Sequence, residues 1–323
     1  MVPQRKKPKP FSPFGNDLFG EPITQATTSP VAQKFLVPPF SVLNAREGDW
    51  QERKRAWIGM GIKSECGRSQ SLNYSIPLKK YSKENMDEEY HGEKAQSLNT
   101  SIFDPVLCEI AYRWFSASGG QIIDPFAGGS VRGVVASCLG LRYFGGELRL
   151  EQVEANKTQV KAICNSPIPE YVCGDSRKTL ESFPDADFIF SCPPYGNLEV
   201  YSDDENDLSV MVYEDFLEAY REIIFKSCAK LKDNRFACFV VGDFRDPKTG
   251  FYRNFVSETI RGFLDAGLLL YNEAILVTSV GSASMRVTKQ FTSGRKFAKT
   301  HQNVLVFCKG DWQEAANYVN QPK

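Results

Sequence analysis

Between Ser101 and Gly310, short apolar runs alternate with amphipathic ones, and this alternation restricts the chain to one kind of sheet. The runs GGQIIDPF, LRYFGGEL, PEYVCGD, ADFIFSCPP, RFACFVVGDF, LLLYNEAILVTSV and HQNVLVFCKG read as seven strands. DPVLCEIAYRWF, GSVRGVVASCLG, EQVEANKTQVKAIC, YEDFLEAYREIIFKSCAKLK and NFVSETIRGFLDAG have the apolar spacing of helices packed on one face. ADFIFS is almost wholly apolar, as a strand covered on both sides must be. Strands separated by helices predict an α/β fold with a mostly parallel, doubly wound sheet and right-handed crossovers. The last two strands follow one another without a helix and predict a terminal antiparallel hairpin.

The flanks are different. Residues 1–34 are rich in Pro, Lys, Gln, Ser and Thr and read as a disordered basic tail. Residues 35–100 form an N-terminal extension: KFLVPPFSVLN suggests chain laid along a surface, REGDWQERKRAWIGMGI suggests a helix, and 64–100 a loose connection. Residues 311–323 read as a C-terminal tail. No apolar stretch approaches the roughly eighteen residues of a membrane span. No apolar segment follows the basic start MVPQRKKPKP, so a cytoplasmic protein is expected, without membrane partners. Nine cysteines without a CxxC pair, and only two histidines, fit reduced thiols and argue against a metal site. The formal net charge is zero, so contact with nucleic acid has to come from local patches.

The first chemical signal is a strand, then Asp124-Pro125-Phe126-Ala127-Gly128-Gly129-Ser130, then a helix. Glycines there let the backbone turn tightly and approach a ligand at the carboxyl end of the first strand. The spacing is not GxGxxG, and no lysine stands where a phosphate-binding loop needs one. The second strand ends at Gly146-Glu147, where an acid can hold two ribose hydroxyls, and the third at Gly174-Asp175-Ser176, where a carboxylate can accept from an adenine amino group. Taken alone, each would be an ordinary surface acid. Together they describe a nucleoside-cofactor site.

Ser191-Cys192-Pro193-Pro194-Tyr195-Gly196 follows the fourth strand. Two prolines cannot continue a central strand, but they make a rigid exit that fixes a carbonyl and an aromatic ring. That suits a base taken out of a helix: the carbonyl accepts from its amino group and the ring stacks on its face.

With these motifs in order, residues 101–310 resemble the DNA amino-methyltransferases, which modify adenine N6 or cytosine N4. SIFDPVL resembles the family's cofactor-flanking segment, which implies that Phe103 and Asp104 lie beside the methionine part of S-adenosylmethionine. DPFAGGS resembles the cofactor glycine loop, FGGELRLEQVEAN the ribose segment with Glu147, CGDS the adenine segment with Asp175, and CPPY the catalytic [Asp/Asn/Ser]-Pro-Pro-[Tyr/Phe] tetrapeptide. The resemblance implies a Rossmann-like class I methyltransferase of seven strands with an N-terminal extension. It also implies S-adenosylmethionine as cofactor, no metal, and duplex DNA with a flipped base as partner. Cys192 departs from the family pattern, since a thiol is a weak acceptor. A small residue there lies closer to the Ser form, which favours cytosine N4 over adenine N6. Pro193 carbonyl and Cys192 would orient the amine, Pro194 would stiffen the turn, and Tyr195 would stack. An RNA or tRNA amino-methyltransferase and an inactive DNA-binding relative are the alternative readings.

Two further segments complete the reading. SASMRVTKQFTSGRKFAKTHQ, taken as the loop of the terminal hairpin, holds Arg286, Lys289, Arg295, Lys296 and Lys299 and no acid, which suits phosphate contacts. Residues 45–57, with several arginines, suit either DNA contact or a cover for the cofactor cleft. The acidic run YSDDEND is expected to face solvent or cap a basic element.

Overall fold

The structure is a computed structural model, and it describes residues 30–63, 103–196, 202–281 and 283–320. The expected disordered tail, the loose connection 64–100 and the stretch 197–201 lie mostly outside the described residues. The chain divides into Met1–Pro39 and Phe40–Lys323. In the first part, α1 spans Pro30–Phe35, with Lys34 Nζ 5.2 Å from the Phe35 ring centre.

The second part contains one mixed sheet of eight strands in the order β1-β7-β8-β6-β5-β2-β3-β4. These are β1 Val42–Asn44, β2 Gln121–Asp124, β3 Arg142–Glu147, β4 Glu170–Cys173, β5 Ala186–Ser191, β6 Leu231–Val241, β7 Leu269–Val277 and β8 His301–Lys309. All neighbours pair in parallel except β8, which runs antiparallel to both β6 and β7. The expectation of seven strands is therefore corrected to eight. The extra strand, β1, has three residues and pairs with β7 from Val42 opposite Ile275 to Asn44 opposite Val277. So short a strand gives no alternation to read in a sequence.

The helices are α2 Gly48–Gly59, α3 Pro105–Phe115, α4 Val131–Cys138, α5 Leu150–Ile163, α6 Ser176–Thr179, α7 Tyr213–Lys230, α8 Phe255–Asp265, α9 Ala283–Gly294 and α10 Trp312–Val319. The expected hairpin loop is corrected as well: β7 and β8 are joined through α9, which buries none of its residues. Among the described residues, no helix is long and apolar enough to cross a membrane.

Every residue of β5 is buried. Phe188 and Phe190 face α3, where the Tyr112 ring meets Phe190 edge-on at 5.3 Å. Ile189 faces the opposite layer, in one apolar cluster with Phe216, Tyr220, Phe239, Phe255, Phe263 and Phe307. Strand order runs outward in opposite directions from β2 and β5. The carboxyl ends of these neighbours diverge and leave a crevice where open α/β sheets bind ligands.

Candidate active site

The turn after β2 is built on a buried ion pair. Asp124 is fully buried and accepts from Arg132 Nε at 2.5 Å, Tyr143 Oη at 2.7 Å and Ser191 Oγ at 2.5 Å. Burial alone would push the Arg132 guanidinium down, but Asp124 more than reverses this and holds it charged. Arg132 also donates to the carbonyls of Phe126 and Ala127, and its guanidinium lies 4.6 Å from the Phe103 ring centre. The glycine turn is thus tied down from behind. Gly128 has φ +52°, and Asn156 Nδ2 donates to its carbonyl at 2.7 Å. A Cβ added at Gly128 or Gly129 would meet no protein atom, so the bare backbone of this turn has open space beside it.

The turn borders a cavity of about 400 Å³, a size typical of small-molecule sites. Of the residues singled out in the sequence, Phe103, Asp104, Pro125, Phe126, Gly128, Gly129, Glu147, Asp175, Ser176 and the whole of Cys192-Pro193-Pro194-Tyr195 line it. Asp124 and Ser130 do not: both are buried behind the wall, and Ser130 Oγ has no hydrogen-bond partner. Glu147 accepts from Arg149 N at 2.9 Å, and burial pushes its carboxyl up to about 7. Asp175 caps α6 by accepting from Arg177 N at 2.9 Å and is paired with Arg177 Nε at 2.8 Å. Ser176 Oγ donates to Pro125 carbonyl at 2.5 Å, fastening the chain beyond β4 to the glycine turn.

Asp104 does more than border the cavity. It caps α3 by accepting from Val106 N at 2.9 Å, and it receives Trp50 Nε1 at 3.2 Å and Lys54 Nζ at 3.0 Å from α2. A turn further along α3, buried Glu109 accepts from Arg53 Nε at 2.6 Å, Trp57 Nε1 at 2.9 Å and Arg113 Nε at 2.9 Å. Burial would raise the Glu109 carboxyl, but its hydrogen bonds from Arg53 and Trp57 outweigh that and hold it low. Gln51 and Lys54 on α2 form one side of the cavity. Of the two readings of residues 45–57, Arg53 is committed to this docking and the helix stands as a wall of the cleft.

Tyr195 is held from two directions. Its hydroxyl accepts from Gln302 Nε2 at 2.6 Å and lies 3.8 Å from Cys192 Sγ, and its ring meets Phe255 edge-on at 6.1 Å. Next to Tyr195, Gly196 has φ +53°, and a Cβ there would come within 2.9 Å of the Phe244 ring. Tyr195 and Gln302 also line a second chamber of about 340 Å³ with Gly242, Asp243, Lys299 and His301. Burial lowers Lys299, with Asp243 opposing; burial and the adjacent Lys299 lower His301. Of the five cations named in the sequence, only Lys299 borders a chamber; Arg286 and Lys289 lie on α9, and Arg295 and Lys296 follow it.

Sequence reasoning missed Gln51, Lys54, Gln302, Asp243 and His301. Of the two expectations for the acidic run, capping of a basic element holds at Asn206, which accepts from Arg177, and solvent exposure fails at Asp207. Asn206 and Asp207 border the cavity instead of facing solvent. Asp207 is buried and accepts from Ser209 N at 2.8 Å and Ser202 Oγ at 2.7 Å, while Asn206 accepts from Arg177 at 3.1 Å. The local signal was present: Asp-x-Ser is a turn-capping pattern.

No protein-family model matches the chain, and no curated protein matches it. Solved structures similar to it include TrmN from Thermus thermophilus, 17% identical over 66% of this chain and 51% of that one, with a TM-score of 0.46. Thus the chain spans about half the length of TrmN. A SAM-dependent methyltransferase from Methanosarcina mazei is 14% identical over 65% of this chain and 99% of the other, with a TM-score of 0.42. Magnesium protoporphyrin IX methyltransferase from Synechocystis, solved with bound SAM, is 9% identical over 60% of this chain and 71% of the other, with a TM-score of 0.39.

Proposed function

We propose that this chain is an S-adenosylmethionine-dependent methyltransferase that modifies an exocyclic amino group of a base in DNA, cytosine N4 in preference to adenine N6. The observation that carries the reading is that the glycine turn and the proline-stiffened turn, far apart in sequence, line one cavity. The residues present fit the cofactor. Gly128 and Gly129 leave backbone bare where a Cβ would project into open space, and Glu147 and Asp175 put carboxylates at two neighbouring strand ends. When bound, S-adenosylmethionine supplies an electrophilic methyl on a positively charged sulfur, and a sulfonium leaving group needs no metal.

The chain's own part is to hold and orient. Glu147 accepts from the ribose hydroxyls, Asp175 accepts from the adenine amino group, and Phe103 and Asp104 flank the methionine part. On the acceptor side, the base leaves the duplex and seats against Tyr195, whose ring is kept from turning by Gln302 and Phe255. Pro193 carbonyl accepts from the target amine and Cys192 lies beside it, so the nitrogen lone pair points along one direction. Alignment of this kind is a large share of what catalysis of a group transfer requires. Arg286, Lys289, Arg295, Lys296 and Lys299 contact phosphates and position the duplex without reading its sequence.

The test is direct. The protein is incubated with methyl-labelled S-adenosylmethionine and either duplex DNA or transfer RNA, the nucleic acid is digested, and the nucleosides are separated. The reading requires label in N4-methylcytosine or N6-methyladenine from DNA. Label in RNA alone, or tight cofactor binding with no transfer, would falsify it.

A further inference from the structure

The segment from Ala274 to Gly310 contains no acidic residue, and it runs past the second chamber. At its chamber end, Lys299 lies against Gly242, with Nζ 3.9 Å from where a Cβ on that glycine would sit. Lys296 approaches Gly250 still more closely, its Nζ 2.7 Å from the corresponding position. Two loops, 242–253 and 295–300, therefore meet at the chamber's mouth. Each presents a bare aromatic ring beside that meeting point: Phe251 is 76% exposed and Phe297 77% exposed. Neither ring belongs to the buried core. The Phe297 ring and the backbone around Phe251 are held in place. Phe297 stacks on Phe291 of α9 at 5.9 Å with the rings 19° apart, and Arg245 donates to Gly250 carbonyl at 3.0 Å and lies 3.9 Å from the Tyr252 ring centre.

Exposed aromatic rings beside cations, Phe297 among them in a stretch without acids, are what a single nucleic-acid strand needs: stacking for its bases and counter-charges for its phosphates. A closed duplex offers neither base face. We infer that Phe251 and Phe297 form a stacking rim around the second chamber, which holds the unpaired strand on either side of the target nucleotide. The rim favours DNA that is already opened over closed duplex. This rests on the proposed nucleic-acid acceptor. The occupant is a strand of DNA with unstacked bases, selected by the charge of the surface and by its rings.

The experiment measures fluorescence anisotropy of a labelled oligodeoxynucleotide offered as single strand, as duplex with a short unpaired bulge, and as closed duplex. The full chain is expected to bind the first two about tenfold more tightly than the third, the margin set by loss of one base–ring stack. The double variant F251A/F297A is expected to lose that margin while keeping closed-duplex binding, and F297W to retain it. Both rings are surface groups, so S-adenosylmethionine titrated by calorimetry is expected to bind the variants and the parent alike. A margin that survives in F251A/F297A, or that is absent from the parent, overturns the rim. A parent chain that binds S-adenosylmethionine but none of the three DNAs overturns the rim and the DNA acceptor together, and leaves the cofactor cleft intact.

Discussion

Behind the glycine turn, Asp124 and Arg132 are buried and satisfied almost entirely by protein groups, whereas on the far side of Tyr195 helix α9 buries none of its residues. The first lies directly behind the wall of the cavity, and the second lines neither chamber. The first spends its polar groups on fixing backbone, so its geometry is set before any ligand arrives. The second keeps its side chains at the surface, where they are accessible to a partner. One side of a site can be pre-organised and the other recruited, and the two should respond to substitution in opposite ways.

The sharpest way to break this contrast is Asp124→Asn. It leaves Arg132 as a buried cation without its counter-charge, a defect that costs roughly 3–5 kcal/mol. Urea unfolding should register this loss, and a change within about 0.5 kcal/mol, the ordinary range for surface sites, would show that the turn is not anchored there.

Glu147→Gln comes next. A charged hydrogen-bond acceptor is worth about 1.5–3 kcal/mol, so S-adenosylmethionine affinity measured by calorimetry should fall by at least tenfold. The pH dependence has a definite sign. Because burial raises the Glu147 carboxyl from 4.5 to about 7, cofactor affinity should weaken as pH falls below about 7 and the acceptor becomes protonated. For folding, the raised value means that stability is fully present below pH 4.5 and lost as pH rises through about 7. Glu147→Gln should flatten that slope in thermal melts recorded across the window; an unchanged slope would assign it to another group.

Gln302→Leu tests the hold on Tyr195. Loss of one neutral hydrogen bond of about 1 kcal/mol should lower kcat severalfold at saturating DNA while leaving cofactor affinity unchanged, as read by steady-state kinetics. Equal loss of cofactor binding would mean that the cleft itself had moved. The smallest effect should come from Lys289→Ala on α9. Stability should hold within about 0.5 kcal/mol, while the slope of log affinity against log salt should drop by about one phosphate contact.

The same contrast explains what was legible in the sequence. The glycine turn, the acids closing β3 and β4, and Cys192-Pro193-Pro194-Tyr195 are local patterns, each complete within a few residues, and they can be read without knowing the fold. Gln302 reaches Tyr195 across 107 positions and Lys54 reaches Asp104 across 50, so their roles exist only once the sheet has assembled. Helix α9 is hard to see in the sequence for a different reason. None of its residues is buried in the core, and periodic burial is what makes a helix visible. The motif position of Asp124 suggests a ligand contact, yet its oxygens are used inside the protein.

The pairing of β1 with β7 and the docking of α2 on α3 have a practical outcome for how small an active fragment can be. Phe40–Lys63 works as a clasp drawn across the sheet from ahead of it in the chain. A fragment trimmed to 101–310 would bare the edge of β7, strip Glu109 of Arg53 and Trp57, and remove the Gln51 and Lys54 side of the cavity. The shortest competent piece therefore has to begin before Ser41.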